Sequence, residues 1–248
     1  MFQQGVADGG PLVVLMEDTI YSYNFATEKW TSTAYPPRTA NHYLPVDCAY
    51  YAIPKQTGRP IQYYLGDATK LAYVVENSQA GDWYYVDIQT AFKFPNVAGV
   101  EAGKDIWTAV NAPFEKVKTP LDTCYIVNDA NGGEALVLWR GTTTYIIPND
   151  ATAPWFKGEN YPSTTQTYWA STNAPFENGD VRPTDAGYFN RHTRHFYMVR
   201  GDTFYFLENT DADGNTKVWV KKNLLKEKVP YTKTNQIDFT APGGPYSP

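Results

Sequence analysis

Cysteine and histidine are scarce in this chain, with 2 and 3 among 248 residues. A small disulfide-rich scaffold is therefore excluded, and the core has to come from apolar packing. Cys48 comes one residue after Asp47, whereas Cys124 comes two residues after Asp122. Because side chains alternate along a strand, we expect the two thiols to point to opposite faces of equivalent strands, which argues against a structural disulfide.

Long apolar runs and a surplus of basic residues are also missing. The longest apolar run near the amino terminus covers residues 12–16, which is too short to span a membrane, so no membrane span is expected. The first residues lack the pattern of a secretory leader; we expect a cytoplasmic protein, with a secreted form whose leader has been removed as the alternative. The net charge of −5 lacks the basic footprint of nucleic-acid-binding proteins, and no nucleic-acid partner is expected.

Sequence signatures of common enzymes are absent as well. The chain has no Gly-x-Ser-x-Gly elbow, phosphate-binding loop, dinucleotide fingerprint or Cys-x-x-Cys pair. These absences favour a protein without catalytic activity. The enzyme alternative that stays open requires carboxylates that converge in a funnel.

Aromatic residues and an internal repeat are abundant instead. The 20 tyrosines and 7 tryptophans favour strands, because flat and stiff side chains suit a pleated surface. The pentapeptide Asn-Ala-Pro-Phe-Glu occurs twice, 62 residues apart, and each copy starts four residues after a tryptophan, Trp107 or Trp169. We align Trp30 and Trp219 with these two, so that four tryptophans open four related segments.

Each segment leads to an aspartate that precedes small or apolar residues. These aspartates are Asp47, Asp122, Asp185 and Asp238. Strand–turn–strand units follow the first three, and Tyr21, Tyr145 and Tyr205 align just after a two-residue turn. A strand-rich unit that repeats four times, with small residues where strands crowd an axis, predicts an all-β, four-bladed β-propeller with a central tunnel.

The spacing of the repeat assigns residues to blades in a single domain. Three predicted blades cover residues 47–118, 119–180 and 181–235, and the remaining blade combines 236–248 with 11–46. Residues 236–240 then supply the inner strand of that shared blade, which would leave no exposed sheet edge. The alternative gives the inner strand to residues 1–6 and leaves the carboxyl terminus as a tail.

The motifs resemble the repeat of the hemopexin-like four-bladed propeller family. The resemblance rests on Asp185-Ala-Gly-Tyr-Phe and Val199-Arg-Gly-Asp-Thr-Phe-Tyr, while Val46-Asp-Cys-Ala-Tyr is similar to the form in legume seed albumins of this fold. It implies a funnel whose tunnel holds cations and anions. Family members act as haem-binding, polyamine-binding, matrix-recognition or lectin-like modules, and because function depends on added sites, the ligand stays open.

A metal site is expected on the axis of such a ring. Equivalent backbone carbonyl oxygens from four inner strands would suit a hard cation, Ca²⁺ or Na⁺. The carboxylates of the four aspartates, Asp47, Asp122, Asp185 and Asp238, would add negative potential. Alternatively, these carboxylates hold turns by accepting hydrogen bonds from backbone N–H groups.

Candidate ligand-binding residues outside the axis fall into two groups. Trp83, Tyr84 and Trp155 lie beside loops and could stack on sugars, although such rings could instead fill the space between blades. His192 and His195 form the one closely spaced histidine pair and could bind haem iron, with an exposed basic turn as the alternative.

The sequence therefore predicts a non-enzymatic ligand-binding protein, with carbohydrate as the first ligand class. A carrier of haem or a polyamine at the tunnel mouth is the second, since the acidic balance favours a small cationic ligand. The pattern also allows a homodimer.

Overall fold

A computed structural model describes the strands and their connections in fourteen stretches of the chain. These are residues 2–3, 11–16, 19–34, 46–52, 61–66, 70–75, 83–87, 121–128, 134–148, 156–157, 167–190, 195–209, 217–231 and 235–248. Their regular structure is β-strand apart from two 3-10 segments, Thr167–Ala170 and Glu177–Gly179. Within these stretches, no helix is long and apolar enough to cross a membrane.

The strands form four antiparallel sheets of four strands each, and every sheet keeps its strands in chain order. The first sheet contains β1 (Phe2–Gln3), β2 (Leu12–Met16), β3 (Thr19–Asn24) and β4 (Lys29–Ala34). The second contains β5 (Val46–Ala52), β6 (Ile61–Gly66), β7 (Lys70–Val75) and β8 (Trp83–Asp87). The third contains β9 (Thr123–Asn128), β10 (Glu134–Arg140), β11 (Thr143–Pro148) and β12 (Phe156–Lys157). The fourth contains β13 (Ala186–Phe189), β14 (Phe196–Arg200), β15 (Thr203–Asn209) and β16 (Lys217–Asn223). A separate pair joins β17 (Val229–Pro230) to β18 (Gln236–Ile237).

Tight turns between the second and third strands fix the register of the last two sheets. Gly141 and Gly201 begin these turns with φ of +57° and +60°, which glycine adopts without steric cost. The alignment of the three tyrosines is confirmed, because each pairs with the equivalent residue of its second strand. The pairs are Tyr21 with Val14, Tyr145 with Leu138, and Tyr205 with Met198.

The first strands of the four sheets contact one another in a closed cycle, in the order β1, β5, β9, β13 and back to β1. Small side chains permit this approach. A Cβ atom added to Gly187 of β13 would lie 3.2 Å from Cγ2 of Thr123 on β9. The cycle places the four sheets around a common centre.

The inner strand of the first sheet is β1, whose residues pair with Leu12 and Val13. The prediction that residues 236–240 supply this strand is wrong, because Gln236–Ile237 satisfies its backbone with Val229–Pro230. The alternative, an inner strand within residues 1–6, agrees with β1. The carboxyl terminus is nevertheless no tail, since Phe239 is only 2% exposed.

Among the described residues, two aromatic clusters fill the space between neighbouring sheets. One lies between the third and fourth sheets and includes Trp139, Trp169, Phe176, Phe196 and Trp219. The other lies between the fourth and first sheets and includes Tyr23, Trp30, Tyr197, Phe204, Tyr231 and Phe239. In both clusters the polypeptide that connects one sheet to the next contributes large rings, so the connections are part of the core.

Candidate functional site

The centre of the cycle of first strands is bordered by four sheet edges. Each first strand pairs with the second strand of its own sheet, and in the described residues its other edge pairs with no strand. Such an edge presents a row of backbone N–H and C=O groups. All four sheets therefore present an edge of this kind towards the same centre.

Two of the predicted aspartates stand at the start of first strands and hold turns. The amide of Asp122 donates to the carbonyl oxygen of Trp139 over 2.8 Å, and the amide of Asp185 donates to that of Val199 over 2.9 Å. The carboxylate of Asp122 accepts a hydrogen bond from the amide of Gly141. The carboxylate of Asp185 does the same for the amide of Gly201. The turn-holding alternative is therefore found at both positions.

The environment of Asp122 includes the charge of Asp185. Burial raises the pKa of Asp122, and the hydrogen bond from Gly141 and the charge of Arg140 act against that rise. The charge of Asp185 raises the pKa of Asp122 further, so the two carboxylates are close enough to repel each other. Asp47 lies at the start of β5, at a bulge in its pairing with β6, and is half-buried.

Asp238 does not belong with the other three, and its prediction as the fourth inner-strand aspartate is wrong. It follows β18, and its carboxylate accepts hydrogen bonds from the amide of Thr240 over 2.9 Å and from its hydroxyl over 2.7 Å. These bonds lower the pKa of Asp238. The carboxylate that the sequence predicted at the centre therefore stabilises a local turn instead. The part of the chain that the structure describes contains no group of three or more His, Cys, Asp or Glu side chains able to hold a metal ion.

The two cysteines are neighbours, although the expectation that their thiols point to opposite faces of equivalent strands argued against a disulfide. Both are buried, with Cys48 on β5 and Cys124 on β9, and the Cys124 thiol is close enough to act on the Cys48 thiol. Burial, followed by this contact, raises the pKa of the Cys48 thiol well above its ordinary value. The alternation argument overlooked that neighbouring sheets in a cycle meet through opposite faces.

Of the predicted histidine pair, His195 lies within the described residues. His195 directly precedes β14 and is 5% exposed, and its ring stands edge-on to Phe206 at 4.9 Å. The carbonyl oxygen of His195 accepts a hydrogen bond from the amide of Asn190 over 2.9 Å. His192 lies outside the described residues. The alternative prediction of an exposed basic turn does not hold for His195, because this residue is part of the core of the fourth sheet.

The predicted glycan-stacking residues Trp83 and Tyr84 lie on β8, opposite Val74 and Tyr73. Val74 is the fifth residue of β7. The fifth residues of β3 and β15 pair in the same way with Trp30 and Trp219, which are 6% and 2% exposed. Trp83 therefore shares its register position with two buried tryptophans. Trp155 lies outside the described residues and directly precedes β12 in the sequence.

The alignment of Trp30 and Trp219 with Trp169 is wrong, because those two lie on fourth strands whereas Trp169 lies between sheets. The described counterpart of Trp169 is Phe239. We name residues 169–177 the internal connection, which joins the third sheet to the fourth, and residues 239–247 the C-terminal connection, which packs between the fourth sheet and the first.

The two connections have the same backbone hydrogen bonds, displaced by 70 residues. In the internal connection the amides of Phe176, Ala174 and Glu177 donate to the carbonyl oxygens of Trp169, Ser171 and Ala174 over 3.0, 3.0 and 3.1 Å. In the C-terminal connection the amides of Tyr246, Gly244 and Ser247 donate to those of Phe239, Ala241 and Gly244 over 3.1, 2.8 and 3.1 Å. The sequence feature that the two connections share is a proline between a small residue and an aromatic one, at Pro175 and again at Pro245.

Comparison with solved structures supports the fold. The hemopexin-fold protein CP4 from cow pea superposes with a TM-score of 0.55 at 11% identity, over 90% of this chain and 92% of that one. A 2S albumin seed protein from Dolichos gives 0.53 at 12% identity over the same shares. A plant albumin from Cicer arietinum, described as showing hemagglutination, gives 0.52 at 13% identity, again over 90% and 92%.

The resemblance read from the sequence motifs is thus shown at the level of fold, since the chain has the fold of hemopexin-fold CP4 and legume seed albumins. No family model matches the chain, and no curated protein matches its sequence. At identities this low, the comparisons show the fold alone and do not identify a ligand.

Proposed function

We propose that the four sheets are the blades of a four-bladed β-propeller with a central tunnel, and that the protein is a non-enzymatic binder of cations. The ligand is Ca²⁺ or Na⁺ on the axis, or a small cationic ligand such as a polyamine at the tunnel mouth. The observation that carries the proposal is the closed cycle of contacts among β1, β5, β9 and β13, the first strands of the four sheets.

The aspartates give that centre its preference for positive charge. Asp47, Asp122 and Asp185 lie at the starts of three first strands, and the carboxylates of Asp122 and Asp185 repel each other. A carboxylate has about four acceptor positions, so one hydrogen bond from a turn amide leaves capacity for a cation. Backbone carbonyl oxygens supply the neutral ligands that hard cations also use.

The proposal is tested by titrating the full chain, stripped of metal with a chelator, with Ca²⁺, Na⁺ and spermine in separate experiments. We expect at least one of them to raise the melting temperature with a saturating dependence on concentration, because a ligand that binds only the folded state stabilises it. Isothermal titration calorimetry measures the affinity directly. If none of the three binds at millimolar concentration, the proposal fails.

Asp185→Asn and Asp238→Asn form a matched pair for this test. The first substitution keeps a side-chain oxygen for the amide of Gly201 but removes the charge at the centre, so we expect affinity for the cation to fall by about tenfold, since ligand charge tunes cation affinity. Asp238 serves a local turn with Thr240, so its substitution should leave the affinity unchanged. Equal effects of the two variants would contradict a site at the centre.

Glycan binding is the second candidate, and it is favoured by the hemagglutination described for the Cicer arietinum albumin. Its candidate residues are Trp83, Tyr84 and Trp155. Trp83 shares its register position with buried tryptophans, and Tyr84, the next residue of β8, does not, so Tyr84 becomes the better candidate. A glycan array with wild type and Tyr84→Ala decides this, and binding that is absent, or unaffected by the substitution, rejects the role of Tyr84.

A further inference from the structure

Two buried thiols from adjacent sheets meet beside the centre of the cycle. Cys48 on β5 is 7% exposed and Cys124 on β9 is 1% exposed. The two strands contact each other, and the Cys124 thiol is close enough to act on the Cys48 thiol. The residues are 76 positions apart in the sequence, so the contact depends entirely on how the second and third sheets pack.

The same juxtaposition recurs between the third and fourth sheets, which shows that it follows from the fold. Cys124 pairs with Leu138 of β10, and Gly187 pairs with Met198 of β14, each one residue after the first pair of its sheet. A Cβ atom on Gly187 would lie 3.2 Å from the side chain of Thr123 on the preceding first strand. β13 therefore directs this position at β9, and the equivalent position on β9, Cys124, lies beside Cys48 of β5.

We propose that Cys48 and Cys124 form an intramolecular disulfide that joins the second sheet to the third when a small disulfide, such as oxidised glutathione, is the oxidant. This modification site is independent of the cation site at the centre. It makes the stability of the contact between two sheets depend on the surrounding thiol–disulfide balance.

The reaction is two successive exchanges. One protein thiolate attacks a sulfur of the small disulfide, which forms a mixed disulfide and releases one small thiolate. The second protein thiolate attacks the protein sulfur of the mixed disulfide, which forms the Cys48–Cys124 bond and releases the second small thiolate. Both small thiolates take up the protons lost by the cysteines, so two protein thiols are oxidised and one small disulfide is reduced.

Burial controls the rate of this reaction. Both thiols are inaccessible to a small disulfide in the folded chain. Oxidation therefore needs a transient separation of β5 from β9. Once formed, the bond closes a loop of 76 residues, and we expect a rise in melting temperature of about 10 °C.

The test is an equilibration of the full chain with reduced and oxidised glutathione over a range of ratios, folded in buffer and unfolded in urea. Mass spectrometry of the acid-quenched protein measures the loss of two hydrogen atoms and identifies the peptide that links Cys48 to Cys124. We expect the equilibrium constant for this bond to be at least about 100-fold larger in the folded chain, because folding holds the thiols together. A constant that is equal or smaller in the folded chain overturns the proposal.

Cys48→Ala and Cys124→Ala are the control variants, and neither should form an internal disulfide or gain melting temperature with oxidised glutathione. If either variant fails to fold, the wild-type equilibrium still decides, since it needs no substitution. Disulfides found only between chains would also overturn the proposal. Because cation binding is measured separately on reduced protein, either proposal can fail without the other.

Discussion

The internal connection and the C-terminal connection have one backbone conformation and two different ways of holding it. Both place a residue with positive φ at the same point, Asn173 with 61° and Gly243 with 79°. Both set a large ring against a tryptophan of a fourth strand. The ring centroids of Trp169 and Trp219 are 5.2 Å apart, and those of Phe239 and Trp30 are 5.4 Å apart.

The internal connection is held by a buried arginine. Arg200 of β14 is 2% exposed and donates hydrogen bonds to the carbonyl oxygens of Pro175, Arg182 and Pro183. Its guanidinium also lies 3.2 Å from a carboxylate oxygen of Asp180 and 5.2 Å from the ring centre of Phe176. Charge and aromatic packing act together here.

The C-terminal connection is held by close backbone packing. A Cβ atom added to Gly244 would lie 2.7 Å from the carbonyl oxygen of Phe239 and 3.1 Å from Cδ1 of Trp30. The indole N–H of Trp30 donates to the carbonyl oxygen of Asp238 over 2.8 Å. The comparison teaches that one conformation between sheets tolerates different side chains as long as each set excludes water and satisfies the carbonyl groups.

The largest effect is expected from Arg200→Met, which removes the donor from three carbonyl groups while keeping apolar volume. We expect the free energy of unfolding to fall by about 4 kcal/mol, since breaking a buried charged network leaves polar groups unpaired. Urea denaturation measures it. Arg200→Lys should recover only part of the loss, because an ammonium group cannot reproduce the planar fork. A loss below about 1 kcal/mol would show that the hydrogen bonds are dispensable.

The next effect compares the aromatic residues that end the two connections. Phe176 is fully buried, so Phe176→Ala should cost about 3 kcal/mol, whereas Tyr246 is half-buried and Tyr246→Ala should cost about half as much. The measurement is again urea denaturation of both variants. An equal or larger loss for Tyr246→Ala would mean that the C-terminal connection carries more of the stability than its burial indicates.

A reciprocal exchange tests the close packing directly. Gly244→Ala should destabilise the protein by about 2 kcal/mol, because the new methyl group overlaps backbone oxygen atoms. The equivalent residue of the internal connection is already an alanine, Ala174, which is 1% exposed. Ala174→Gly should cost about 1 kcal/mol through added flexibility and lost packing. If Gly244→Ala is tolerated, the two connections are interchangeable at this position.

The smallest effect concerns pH. The hydrogen bond from Arg182 and the nearby charge of Arg200 lower the pKa of Asp180 from 3.8 to about 2. A lowered pKa in the folded state stabilises the protein above the ordinary pKa, and this contribution is lost as the pH falls towards 2. Wild type should therefore lose more stability than Asp180→Asn on acidification below pH 4, by thermal denaturation across that range.

Asp238→Asn gives the matching measurement for the C-terminal connection. The hydrogen bonds from Thr240 lower the pKa of Asp238 as well, so its contribution has the same sign. We expect a smaller change than for Asp180→Asn, because no arginine is bound to this carboxylate in the described structure. Identical acid profiles for wild type and Asp180→Asn would contradict the role given to the contacts of Asp180 with Arg182 and Arg200.

The sequence by itself determined the local parts of this protein. Alternating aromatic and apolar residues indicated strands, and Gly141 and Gly201 marked the turns after which the tyrosines align. For the aspartates that precede first strands, the sequence also suggested the arrangement found at Asp122 and Asp185, in which the carboxylate accepts a hydrogen bond from a turn amide. These features depend on strand periodicity and turn chemistry, which act over a few residues and are therefore readable from spacing.

Only the tertiary structure decided which distant segments meet. The C-terminal connection keeps its conformation while replacing most side chains of the pentapeptide, so sequence similarity pointed to Trp30 and Trp219 instead. Cys48 and Cys124 met because neighbouring sheets in a cycle abut through opposite faces, a relation that strand alternation within one sheet does not contain. The first sheet takes its inner strand from Phe2–Gln3, whereas Phe239 buries its ring against Trp30, and local spacing cannot decide between segments so far apart in the chain.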